Sequence, residues 1–294
     1  MELFRALAVF VEPPDRPGAA RVAEALGLGG LPRVSEYTDV FVFRLYPYAS
    51  VYLGAEGMLG GEARDRVAGF VAALGHAPPP EPDHLALMLG TYAWLCESEG
   101  AAGDARLRES LRGARRAFLW EHLLSWLPVY LDKLEQFAPP FYRNWGRTLR
   151  AALDAEAHTL GGQDALPLHL REAAGLADPR ATSSDEFLQS LLAPARTGVI
   201  LLRDDIARAA RDLGTGVRAG ERLYALRSLM GQDAAGALSR LAAEADAWAT
   251  LHRHRRAAHG RVAEWWTERA SSTANLLREL KAEADGSGWG GGHA

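Results

Sequence analysis

Glu81-Pro82-Asp83-His84 runs directly into Leu85-Ala86-Leu87-Met88-Leu89, and this stretch decides the fold class. Leu85, Met88, Leu89, Tyr92 and Cys96 recur at three-and-four spacing, the signature of a helix with one buried stripe. Proline suits the first position of a helix, because the N–H it lacks would have no partner there. The spacing therefore predicts a helix opening at Pro82, with Glu81 near the N-cap and Asp83 in the first turn, where the helix dipole favours a carboxylate. The same dipole disfavours an imidazolium, so His84 is expected as a neutral donor and acceptor. Two readings fit these four residues: a capped helix start, or a polar mouth on a rigid helix end.

Helical periodicity extends on both sides. Residues 2–10 and 18–27 read as short helices split by Pro13, Pro14 and Pro17. Ala63 to Leu74 reads as a helix with Val67, Phe70, Val71 and Leu74 inward. Ala105 to Phe137 carries a long apolar stripe that includes His122, read as a core histidine, and Pro128 must kink or break it. Phe141, Trp145, Leu149 and Leu153 define the next helix. Gly54 to Gly61 reads as a connecting loop, and it lacks the Gly-Lys-Ser/Thr ending of a phosphate loop. Val40 to Tyr46 is the exception, because β-branched and aromatic residues there suggest an extended segment or minor strand near 39–46. Residues 161–183 read as a linker. Beyond it, Ser183 with Glu186 and later Asp233 mark helix starts in a further helical region, 184–284, and the glycine-rich 285–294 reads as a disordered tail.

The totals are those of an ordinary globular protein. Of 294 residues, 48% are hydrophobic and 24% charged, with a net charge of −4, so nothing asks for nucleic acid or a membrane surface. The single cysteine, Cys96, excludes an internal disulfide and fits a reducing compartment. Residues 1–10 carry no cleavage pattern and no twin arginine, and no run has the length of a membrane span, so the expected location is the cytoplasm.

Three motifs in order resemble the TorD/DmsD/NarJ family of molybdoenzyme chaperones. They are Tyr48-Ala49-Ser50-Val51-Tyr52-Leu53, then Glu81-Pro82-Asp83-His84, then Trp120-Glu121-His122-Leu123-Leu124-Ser125-Trp126-Leu127-Pro128 followed by Pro140-Phe141-Tyr142. The first departs from the common form, which has tryptophan and glycine where Tyr48 and Ala49 stand. The resemblance implies an all-α fold, with residues 1–160 as a TorD-like core. It implies a non-enzymatic cytoplasmic chaperone, monomer or homodimer, that binds an apo molybdopterin oxidoreductase subunit. Such a chaperone assists cofactor insertion before export, and its partners can include a twin-arginine signal peptide. It implies no bound cofactor; weak guanine-nucleotide binding is reported for some family members. The client site is expected at Glu81, Pro82, Asp83, His84, Tyr48, Ser50 and Tyr52, with Asp83 pairing a client arginine and His84 hydrogen bonding. An apolar groove with an acidic mouth suits a peptide made of two arginines and an apolar run.

Other chemistries find little support. No Gly-x-Ser-x-Gly elbow exists, and Cys96 sits among apolar residues, so nucleophilic catalysis has no candidate. His252, His254 and His259 stand beside Arg253, Arg255 and Arg256 and read as a solvated basic face rather than a metal site. Residues 203–230 offer a short helix, a glycine turn and an arginine-bearing second helix, which makes a helix-turn-helix DNA-binding regulator the alternative function. Their arginine excess is mild for a DNA reader.

Overall fold

The computed structural model describes residues 2–163, 165–216 and 220–286. In chain order the helices are α1 (Glu2–Ala8), α2 (Ala19–Ala25), α3 (Val34–Tyr37), α4 (Ala49–Leu53), α5 (Glu62–Ala73), α6 (Leu85–Ala101), α7 (Ala105–Phe118), α8 (Leu127–Phe137), α9 (Pro140–Leu160) and α10 (Leu168–Glu172). They continue with α11 (Ser184–Leu191), α12 (Pro194–Thr197), α13 (Arg203–Asp212), α14 (Arg222–Gln232), α15 (Ala234–Arg253) and α16 (Arg256–Gly286). Among the described residues there is no strand; the single isolated bridge pairs Tyr48 with His84 in antiparallel sense. The fold is all-α.

The contacts divide the chain into two units. One comprises residues 1–54, 58–172 and 257–262, the other 55–57, 173–256 and 263–294. In the first, α1 packs on α6 and α9, α6 on α7, and α8 on α9. Its core is aromatic. Trp126, Tyr130, Tyr142, Trp145, Phe10, Phe41 and Phe118 are fully buried. Three of these polar tips find carbonyls, as buried donors usually do: Trp145 Nε1 donates to Leu7 at 2.9 Å, Trp126 Nε1 to His122 at 2.8 Å, and Tyr130 Oη to Leu45 at 3.2 Å, whereas the Tyr142 hydroxyl is buried without a partner. In the second unit α14 packs on α11, α13 and α15. His252 lies there between Trp248 and Trp266, at 5.5 and 5.8 Å between ring centroids. Gly198 packs directly on the Ala270 backbone, since a Cβ there would lie 2.5 Å from Ala270 N.

Several sequence expectations hold at the level of elements. The stripe Leu85, Met88, Leu89, Tyr92 and Cys96 is buried along α6. Pro128 does break its helix: α7 ends at Phe118, a π-helical turn spans Leu119–Leu123, and Pro128 occupies the first turn of α8. Ser183 Oγ accepts from Glu186 N–H at 3.1 Å and caps α11. Asp233 accepts from Gly236 N–H at 2.8 Å and caps α15.

Other expectations are corrected. Residues 39–46 are not extended: Thr38–Arg44 form a π-helical turn, closed by Leu45 N–H on the Val40 carbonyl at 2.8 Å. Tertiary packing overrides strand propensity here. Phe41 is driven edge-on against Tyr142 and Trp145 at 5.0 and 5.9 Å, and Arg44 pairs with Asp39 across the turn at 3.0 Å. The central helix starts at Leu85, not Pro82, because residues 83–85 pair with 47–49 instead of opening a helix. The histidines near 252–259 divide: His254 is exposed, as a solvated face requires, but the other two are buried. His252 is 1% exposed with Nε2 2.8 Å from the Gly198 carbonyl, and His259 is 3% exposed. Of the expected tail, residues 285 and 286 close α16, and 287–294 lie outside the described residues.

Candidate functional site

Two chain segments build the site. Leu85 N–H donates to the Pro47 carbonyl at 2.8 Å and Ala49 N–H to the Asp83 carbonyl at 3.1 Å, which fixes the entry to α6 against the entry to α4. This pairing uses N–H groups at the starts of both helices that would otherwise lack partners. The Asp83 carboxylate then accepts from Ser50 N–H at 3.1 Å. Asp83 therefore caps α4, a helix distant in sequence, and not the helix that follows it.

The seven residues singled out from sequence come together, but they divide by exposure. Asp83 is 2% exposed, Ser50 0% and Tyr52 2%, and Pro82 is buried as well. Ser50 Oγ accepts from Gly60 N–H at 3.1 Å and ties down the glycine loop. Tyr52 belongs to the core: it stacks on Trp126 at 5.2 Å with an 8° interplanar angle, and its hydroxyl donates to the Tyr46 carbonyl at 2.8 Å. Asp83, expected to reach outward to an arginine, is turned inward onto a backbone amide. Glu81 is exposed, and Tyr48 and His84 are half-buried.

Those three form the accessible rim. Tyr48 Oη donates to Glu81 Oε2 at 2.9 Å. The Tyr48 ring meets His84 edge-on at 4.8 Å between centroids. Burial, followed by the hydrogen bond to Glu81, holds the Tyr48 phenol protonated far above its ordinary range. Burial lowers the His84 imidazole below its usual value, against the opposing pull of Glu12, Glu81 and Asp83. A neutral imidazole beside an acidic rim can accept or donate a hydrogen bond, and the carboxylates favour a cation.

Sequence reasoning missed two contributors. Glu12 acts on His84 from another part of the chain, which only the folded structure could reveal. Phe43, on the π-helical turn just ahead of this site in sequence, is 71% exposed, and Val42 and Tyr46 are 42% and 39% exposed. Exposed aromatic side chains of this size mark interaction surfaces more often than isolated aliphatic ones do. Reading 39–46 as a strand hid that exposure. Among the described residues no group of three or more His, Cys, Asp or Glu side chains could hold a metal ion.

The segment carrying this site has recognisable relatives. Residues 29–132 match the nitrate reductase delta subunit family. The chain is 40% identical over 83 residues to the chlorate reductase assembly chaperone protein of Ideonella dechloratans, covering 28% of this chain and 42% of that one. It is 39% identical over 95 residues to the selenate reductase assembly chaperone protein of Thauera selenatis, covering 32% and 49% respectively. With the chaperone protein TorD of Vibrio cholerae it shares 32% identity over 120 residues, or 39% and 54% of the two chains. The chain thus spans about half the length of the curated relatives it matches. No solved structure gives a significant match.

Proposed function

We propose, from the match of residues 29–132 to the nitrate reductase delta subunit family, that this protein is an assembly chaperone for a molybdopterin-dependent oxidoreductase. It binds the apo catalytic subunit and holds it competent for cofactor insertion. The observation that carries this reading is a coincidence of position. The stretch that matches the nitrate reductase delta subunit family, 29–132, contains both halves of the Tyr48–His84 site. Residues 1–160 are taken as the chaperone core and 184–284 as an added helical region joined through 161–183. The protein acts in the cytoplasm; among the described residues no helix is long and apolar enough to cross a membrane.

Within that reading, Glu81, Tyr48 and His84 contact the client, and Asp83, Ser50, Pro82 and Tyr52 hold them in place. A client arginine meets the Glu81 carboxylate in a charge-assisted pair. An apolar segment of the client covers Phe43 and Tyr46. A twin-arginine signal peptide has this make-up and is the proposed finer ligand, ahead of the folded body of the enzyme. The DNA-binding alternative draws no support. Arg208 and Arg227 are already paired to Asp205 and Asp185, and Arg222 donates to the Leu201 carbonyl at 3.1 Å, so these cations have protein acceptors in place of phosphates.

The test is a titration of the full chain with a synthetic peptide of two arginines followed by an apolar run, read by calorimetry. Saturable binding to the wild type, lost when lysine replaces Glu81, fits the proposal. Equal binding by wild type and Glu81→Lys removes the site assignment.

A further inference from the structure

Glu81 supplies one carboxylate to the rim of the Tyr48–His84 site, and a ligand with two arginines calls for a second. The N-terminal segment brings one there. Phe4 of α1 meets Tyr92 of α6 edge-on, at 4.8 Å between ring centroids. The 3₁₀ turn that follows, Val9–Val11, also packs on α6, and Glu12 ends that turn with an extended backbone. From Tyr92 the chain thus runs back along α6 toward its start, where His84 is the N-cap. Glu12 arrives beside that ring. Three carboxylates pull on the His84 imidazole, and Glu12 acts more strongly than Glu81 or Asp83.

The three carboxylates are not equivalent. Asp83 is 2% exposed and committed to Ser50 N–H. Glu81 is exposed and Glu12 is half-buried. Tyr48 Oη donates to Glu81 Oε2 at 2.9 Å, and Arg16 Nη2 donates to Glu12 Oε2 at 2.6 Å. Each carboxylate is therefore held through one oxygen, and each keeps Oε1 for a further donor. Each also stands beside a half-buried tyrosine. Tyr48 serves Glu81; Tyr37 serves Glu12, since its phenol is raised by burial first and then by Glu12, with Arg16 opposing. The face of a tyrosine ring attracts a guanidinium.

We propose that Glu12 is the second cation-reading residue of this site: a client segment with two neighbouring arginines places one on Glu81 beside Tyr48 and the other on Glu12 beside Tyr37. The proposal rests on the signal-peptide reading above and adds to it the residue that tells two arginines from one. Arg16 is a weak competitor. Its side chain is 56% exposed, and an exposed pair at this i,i+4 spacing contributes little to stability. An incoming guanidinium takes the remaining oxygen of Glu12 or displaces Arg16 from the first. Arginine suits both positions better than lysine, because its planar head can lie against a ring while its edge donates to a carboxylate.

The experiment is a set of calorimetric titrations of the full chain. The probes are the synthetic peptide of two arginines followed by an apolar run, and two versions in which one or the other arginine is glutamine. Glu12→Gln should weaken the two-arginine peptide about fivefold. It should weaken only one of the single-arginine peptides, the one whose arginine sits on Glu12, and Glu81→Gln should show the reverse preference. The ratio of the two single-arginine affinities is taken within one protein, so any unfolded fraction cancels from it. Arg16→Gln, which frees the second oxygen of Glu12, should bind the two-arginine peptide at least as tightly as wild type. If the single-arginine ratio is the same in Glu12→Gln as in wild type, Glu12 reads no arginine, and the proposal falls while the signal-peptide reading stands. A loss with Arg16→Gln as large as with Glu12→Gln makes the pair a structural clasp and also overturns the proposal. If wild type binds none of the peptides, the signal-peptide reading fails and this proposal fails with it.

Discussion

Asp83→Ala tests the physical core of the site. Asp83 is 2% exposed, and its carboxylate accepts from Ser50 N–H at 3.1 Å, at the start of α4. Alanine leaves that amide buried without a partner, and an unmet buried donor costs about 1–3 kcal/mol. Loss of an N-terminal cap by itself costs about 0.5–2 kcal/mol. These are two descriptions of one lost bond, so the expected destabilisation is about 2 kcal/mol, not their sum. At about 2–4 °C per kcal/mol for a chain of this order, melting falls by about 4–8 °C. Asp83→Asn keeps a side-chain oxygen facing Ser50 and loses only the charge-assisted part, so its drop is less than half as large. Circular dichroism melts of the three proteins at one pH decide the matter. A Tm for Asp83→Ala equal to wild type refutes the assignment of Asp83 as the cap of α4. If Asp83→Asn melts normally yet loses peptide binding, Asp83 contacts the client directly. Parallel losses mark it as a positioning residue.

Tyr48→Phe removes the half-buried hydroxyl that donates to Glu81; stability should change by less than about 1 kcal/mol, while peptide affinity falls, and an unchanged affinity by calorimetry contradicts the rim assignment. His122 and His169 are held neutral chiefly by burial, with pKa values lowered to about 3 and about 4. Below the unfolded value of 6.5 the unfolded chain binds more protons than the folded one, so their contribution is complete above 6.5 and is lost as pH falls toward 4 and then 3. Replacing His122 with Gln should flatten the urea-unfolding free energy between pH 6 and pH 4 by about 1 kcal/mol per pH unit; an unchanged slope counts against it. Cys96 is 5% exposed, and burial pushes its thiol up to about 11; an aromatic disulfide reagent at pH 8 should label it only in denaturant, and rapid labelling of native protein contradicts the buried assignment.

Helices were legible where one face carried the core. The α6 stripe from Leu85 to Cys96 and the capping serine at 183 could be read by spacing alone, because propensity, patterning and packing agree there. Residues 38–44 were not legible, because Val40, Phe41, Val42 and Phe43 satisfy strand propensity while the pocket for Phe41 beside Tyr142 and Trp145 forms only in three dimensions. The same holds for the start of α6. Pro82 looks like a first helical residue until the segment 47–49 arrives to pair with 83–85. The site residues were found as a group through motif resemblance. The sequence could not say that Asp83 points inward while Glu81 points outward, since these two acids, one residue apart, differ here only through the partner segment. His252 and His259 sit among arginines in sequence, yet His252 packs between Trp248, one turn back, and Trp266, and His259 meets Asp154, 105 residues away.

The central claim is that this protein holds an apo molybdopterin oxidoreductase during assembly. The most direct measurement is affinity capture of the tagged full chain from its native cells, grown so that such enzymes are made, with mass-spectrometric identification of what is retained. The account predicts a molybdopterin oxidoreductase catalytic subunit in near-stoichiometric amount, deficient in molybdenum, and less of it with Glu81→Lys. Absence of any such subunit from the captured material, while it is abundant in the lysate, contradicts the account.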